Sequence, residues 1–84
     1  MSEQQLSNLI KMLEQIIANN LHQGEAAEVA EVAATHVHNF WARSMKQLII
    51  NLANTHPEQL STVALQAVVL LQAKSVGQPA SFNP

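Results

Sequence analysis

The chain has 84 residues, 48% of them hydrophobic, and a net charge of −2, which fits one folded domain and excludes disorder throughout. Only four Lys and Arg residues are present, too few for a phosphate-neutralising nucleic-acid surface or an electrostatic grip on an anionic membrane. Cysteine is absent, which excludes disulfides, thiolate metal sites, iron–sulfur ligation and a Cys nucleophile.

A domain of this size buries only about 60% of the surface its unfolded chain exposes, enough for one modest core but not for a deep substrate cavity. The aromatic fraction of 4% means that Leu, Ile, Val, Ala and Met must fill that core. Residues Met1 to Gln5 carry neither a basic nor an apolar leader pattern, so no signal peptide is expected. The apolar runs fall short of the ~20 residues of a membrane helix. Together with the absence of cysteine, this fits a cytoplasmic location.

Helical periodicity runs through the chain, and no alternating stretch bounded by turn residues suggests a strand. The first segment spans about residues 3 to 21. Leu6, Leu9, Ile10, Leu13, Ile16, Ile17 and Leu21 share one face, with Ser2 as the N-cap or Ser7 as the cap of a later start. Asn19, Asn20 and Gly24 mark its end.

The second segment spans about residues 25 to 40. Glu25 and Glu28 stand in the first turn, where acids complement the helix dipole. Ala26, Val29, Ala30, Ala33, Val37, Phe40 and Trp41 form its stripe, small at first and bulky at the last turn. The small half permits another helix to approach closely. The third segment, about 42 to 54, carries Met45, Leu48, Ile49, Leu52 and Ala53, and ends before Pro57. No Gly or Pro separates segments two and three, so the pattern does not decide whether the helix bends near Ala42.

The fourth segment, about 61 to 74, has Ser61 as its N-cap. From Val63 to Leu71 every residue but Gln66 is apolar, nearly the whole helix circumference. Either this is the central helix of the bundle, or Leu65, Val69 and their neighbours face another chain. Three helices have trouble enclosing a fourth in so small a domain, which favours the interface. Residues 75–84, with Gly77, Pro79 and Pro84, read as a flexible tail. The expected fold is therefore all-α: a small bundle of about four short helices over residues 1–74, followed by the tail.

No catalytic constellation is visible. Ser44, Ser61 and Thr62 are explained as caps or helix-surface residues, and Glu25, Glu28 and Glu31 as a solvated face. His36 and His38 point to different sides of a helix, and neither they nor His22 or His56 stand at ligand spacing with a carboxylate. No catalytic, metal or cofactor residue is expected. The stretch from His38 to Lys46 is the exception to a bland helical reading. Phe40 and Trp41 are adjacent, so on a helix their rings diverge by about 100°. One ring can lock a corner of the core while the other faces out beside Arg43 and Lys46. Trp and Arg dominate interface hot spots, so an exposed Trp41 here would anchor a partner.

Two stretches carry a family resemblance. Leu9-Ile10-Lys11-Met12-Leu13-Glu14-Gln15-Ile16-Ile17 follows a pattern L-(V/I)-x-M-x-x-Q-I-A with one change. His36-Val37-His38-Asn39-Phe40-Trp41-Ala42-Arg43-Ser44-Met45-Lys46-Gln47-Leu48-Ile49 follows H-(L/V)-x-x-F-W-D-P-x-M-(R/K)-x-x-(L/I), and Leu60-Ser61-Thr62 precedes an apolar helix. Over about residues 7 to 72 the chain thereby resembles the small delta subunit of soluble NAD-dependent, molybdenum-containing formate dehydrogenases. It departs from the pattern where Asp-Pro becomes Ala42-Arg43 and where the usual basic residue before Met45 is Ser44. Loss of the Asp cap and the first-turn Pro costs ~1 kcal/mol and removes the signal for a sharp bend.

The resemblance implies a non-catalytic accessory subunit, with molybdenum, iron–sulfur clusters and flavin on larger subunits and no cofactor of its own. Such a subunit would assemble or stabilise the complex by docking on a larger catalytic subunit of formate dehydrogenase. The expected contacts are Phe40, Trp41, Arg43, Met45, Lys46 and the outer face of the fourth segment at Leu65 and Val69. The alternative is a homodimeric, regulatory helical module that self-associates through the fourth segment.

Overall fold

The computed structural model describes residues 3–77, in the order α1 (Glu3–Asn19), a 3-10 turn (Leu21–Gln23), α2 (Ala26–Phe40), α3 (Arg43–Thr55), a second 3-10 turn (Pro57–Gln59) and α4 (Thr62–Gly77). The all-α expectation holds. Helix α4 continues past residue 74 to Gly77; the rest of the expected tail, and the cap expected at Ser2, lie outside the described residues.

Each helix buries the stripe that its spacing marks. Leu9, Leu13 and Ile17 of α1 meet Val29, Ala30, Ala33, Ala34 and Val37 of α2, with Ile49 and Leu52 from α3 and Ala64, Ala67, Val68 and Leu71 from α4. Four residues depart from the expected stripes. Leu21 leaves the α1 stripe for the 3-10 turn and is exposed, as are Ala26 and Phe40 of α2, whereas Ala34 joins the core. The α2–α4 pair is the most extensive contact. Alanines on both helices allow it, because a methyl group keeps the two backbones near each other.

Asn20 closes α1 by donating from its side-chain amide to the Ile16 carbonyl at 2.7 Å. Gly24 then turns the chain with φ +148°. A Cβ there would collide with the Glu28 carboxylate, which accepts the Glu25 backbone N–H at 2.9 Å and fastens the start of α2. Glycine is required at this position on both counts.

The undecided junction between α2 and α3 is a bend of two extended residues, Trp41 (φ −84°, ψ 145°) and Ala42 (φ −63°, ψ 154°). Both φ values are negative, so neither Gly nor Pro is needed. The ends are closed by Trp41 N–H to the Val37 carbonyl at 3.0 Å and by Lys46 N–H to the Ala42 carbonyl at 3.0 Å. The Lys46 ammonium adds a third bond, to the His38 carbonyl at 3.1 Å. A cation there satisfies a last-turn carbonyl and matches the negative end of the helix dipole.

Candidate interaction surface

The corner separates the two aromatic neighbours. Trp41 is 7% exposed and joins the core, whereas Phe40 is 74% exposed. Contact with the core takes the indole at the very residue where the helix breaks. The extended backbone at Trp41 directs its side chain inward, and Phe40, one residue earlier, stays on the helix surface. The Phe40 ring packs on His36 one turn below, with centroids 4.9 Å apart and planes tilted by 44°. Such a tilted aromatic pair steadies the exposed ring.

Helix α1 supplies the other wall of this site. Lys11, Met12, Gln15 and Ile16 line a shallow groove with His36 and Trp41. Met12 is 42% exposed. Trp41 therefore forms part of a groove lining instead of projecting as the anchor that an exposed indole would be. The sequence did not single out Met12 as a surface residue, because its position reads as part of a generic helix. The other expected contacts divide. Arg43 is exposed, Met45 packs half-buried against the core, and Lys46 caps α2.

Helix α4 is apolar nearly all round because it packs against α1, α2 and α3. Ala64, Ala67, Val68 and Leu71 are buried, and Val63, Leu65 and Leu70 are half-buried against the core. The central-helix reading accounts for these residues, and Val69 is left exposed at 65%. It lines a second groove with Ala27, Ala30, Glu31, Gln66 and Leu70, beside an ion pair of Lys74 and Glu31 at 3.2 Å. At about 100° per residue, His36 borders the buried stripe of α2 on one side and Ala27 and Glu31 on the other, and Phe40 lies near the His36 edge, about 140° or more from Ala27 and Glu31. Phe40 and Val69 thus belong to different faces.

A long-range tie joins α1 to the start of α4. The Glu14 carboxylate accepts from Ser61 N–H at 2.9 Å and from Ser61 Oγ at 2.8 Å, and Ser61 Oγ in turn accepts from Ala64 N–H at 3.1 Å. Ser61 is thus the N-cap that the sequence indicated. No acid stands in the first turn of α4, so Glu14 supplies the negative charge its dipole favours from 47 positions away. Only that missing first-turn acid hinted at the tie. A Glu14→Ala variant is expected to lose about 1 kcal/mol of stability at unchanged helix content. Thermal unfolding by circular dichroism reads this directly, and an unchanged melting temperature refutes it.

Among the described residues no group of three or more His, Asp or Glu stands together to hold a metal ion, and no helix is long and apolar enough to cross a membrane. The space between Leu13, Ala34, Val37, Ile49, Ala67, Val68 and Leu71 admits no water. His56 bonds to the neighbouring Thr55 hydroxyl through Nδ1 at 3.0 Å.

Fold and surface together define a small all-α bundle with a filled interior and, among the described residues, one large aromatic side chain turned to solvent. Residues 8–68 match the family described as NADH-dependant formate dehydrogenase delta subunit FdsD. The chain belongs to this family, as the Met12–Gln15–Ile16 and Phe40–Trp41–Met45–Lys46 patterns indicated. No curated protein and no solved structure matches it.

Proposed function

We propose that this chain is a non-catalytic accessory subunit that docks on a larger catalytic subunit of a formate dehydrogenase and assembles or stabilises that complex in the cytoplasm. The match of residues 8–68 to the delta-subunit family carries this reading. The chemistry of the chain supports it. No cysteine is available to ligate an iron–sulfur cluster, and the interior is closely packed around Ala34 and Ala67. Redox chemistry then belongs to the partner, and what this chain offers is surface.

Co-expression with the large subunit tests the proposal. The tagged chain is expected to co-elute with the large subunit in size exclusion, and omitting it is expected to lower the yield of intact complex. A chain that elutes alone as a tight dimer, beside a complex that forms in full yield without it, overturns the proposal in favour of the self-associating module.

A further inference from the structure

Two cations stand at or beside the corner between α2 and α3 without a carboxylate partner among the described residues. Lys11 lines the groove beside Met12, and Arg43 follows two residues after Trp41. Neither forms an ion pair among the described residues. The other two cations are engaged: Lys46 caps α2, and Lys74 pairs with Glu31. Three carboxylates are engaged elsewhere. Glu14 bonds to Ser61, Glu28 to the start of α2, and Glu31 to Lys74.

Arg43 also breaks a local rule. It is the first residue of α3, whose first turn holds no acid and whose N-cap, Ala42, makes no side-chain cap bond. A cation at a helix N-terminus opposes the helix dipole, so this placement costs the isolated chain stability. A local choice that works against the fold points to a role outside it. Beside it stands Phe40, which exposes most of an aromatic ring to water. Large apolar side chains left in solvent mark contact sites when they cluster, and here Met12 adjoins the groove that His36 lines beneath the ring.

We propose that this corner is the docking face, that Phe40 inserts into an apolar pocket of the larger subunit, and that carboxylates on the rim of that pocket pair with Lys11 and Arg43. The proposal rests on the accessory-subunit reading and names its surface. Phe40 supplies the apolar anchor, the Met12 groove receives an apolar side chain in return, and the cations fix register and speed encounter. Charge complementarity selects the occupant, because an apolar pocket without acidic groups would leave both cations facing uncharged surface.

The test is binding of purified chain to the purified large subunit, measured at low and high salt. Wild type is expected to bind, and to bind more weakly as salt screens the rim charges. Phe40→Ala is expected to weaken binding by at least about tenfold. Arg43→Asp is expected to raise the melting temperature of the isolated chain, by placing an acid at the N-terminus of α3, yet to weaken binding by about tenfold and flatten its salt dependence. This opposition between folding and docking separates a contact role from a structural one. Val69→Asp, on the other face, is expected to bind within about twofold of wild type. Full binding by Phe40→Ala or Arg43→Asp, or loss in Val69→Asp, overturns the docking face and leaves the accessory reading standing. No binding by wild type overturns both.

Discussion

Trp41→Ala is expected to lower stability by about 3–5 kcal/mol, the usual cost of deleting a large aromatic side chain from a core. A chain of this length commands only roughly 4–12 kcal/mol in total, at about 0.05–0.15 kcal/mol per residue. The loss is therefore about a quarter of the stability or more. At about 4–8 °C per kcal/mol, the melting temperature should fall by at least ~12 °C. The indole is 7% exposed and sits at the residue where α2 becomes extended. Its removal leaves a cavity and also releases the bend. Phe40→Ala serves as the internal comparison: its ring is 74% exposed, so the same deletion one residue earlier should change stability little. Parallel thermal melts of the two variants decide the matter. Equal shifts would mean that the corner is not built on Trp41.

Ala34→Leu is expected to destabilise the chain by about 1–3 kcal/mol, even though leucine forms helices well. Ala34 is fully buried on α2 and shares a closed space with Leu13, Ala67, Val68 and Leu71 that admits no water. The added carbons have nowhere to go unless α2 moves away from α4, and this pair is the most extensive contact in the fold. Ala27 provides the contrast, because it lies at the exposed end of the same helix on an open groove. Ala27→Leu should be near neutral. Chemical denaturation of both variants separates overpacking from helix propensity. An Ala34→Leu chain as stable as wild type would show that the α2–α4 spacing is not set by its alanines.

The proposed docking face is only partly legible in the sequence. Phe40 and Trp41 stand out by composition, and their divergence by about 100° shows that both cannot be treated alike. Nothing local says which ring goes inside. That choice depends on where α2 breaks, because the break turns Trp41 into the core and leaves Phe40 on the last helical turn. The sequence places Lys46 with Arg43 beside the aromatic pair as an expected contact. Its ammonium instead meets the His38 carbonyl, eight residues back, a bond that exists only once the bend has folded the two helices together. The apolar circumference of α4 suggested an outward face for another chain. Packing on three sides accounts for it down to Val69.

By itself the sequence determined the all-α class, the four helices, the Ser61 cap and the membership in the delta-subunit family, because spacing, capping and motif are properties of neighbours along the chain. Tertiary structure alone decided the break at Trp41 and Ala42 without the family's Asp-Pro, the tie between Glu14 and Ser61, and the separation of Phe40 from Val69. Each of these depends on groups from different helices meeting in space. The free energy that settles them comes from burial and from hydrogen bonds across the fold, which no window of local sequence contains.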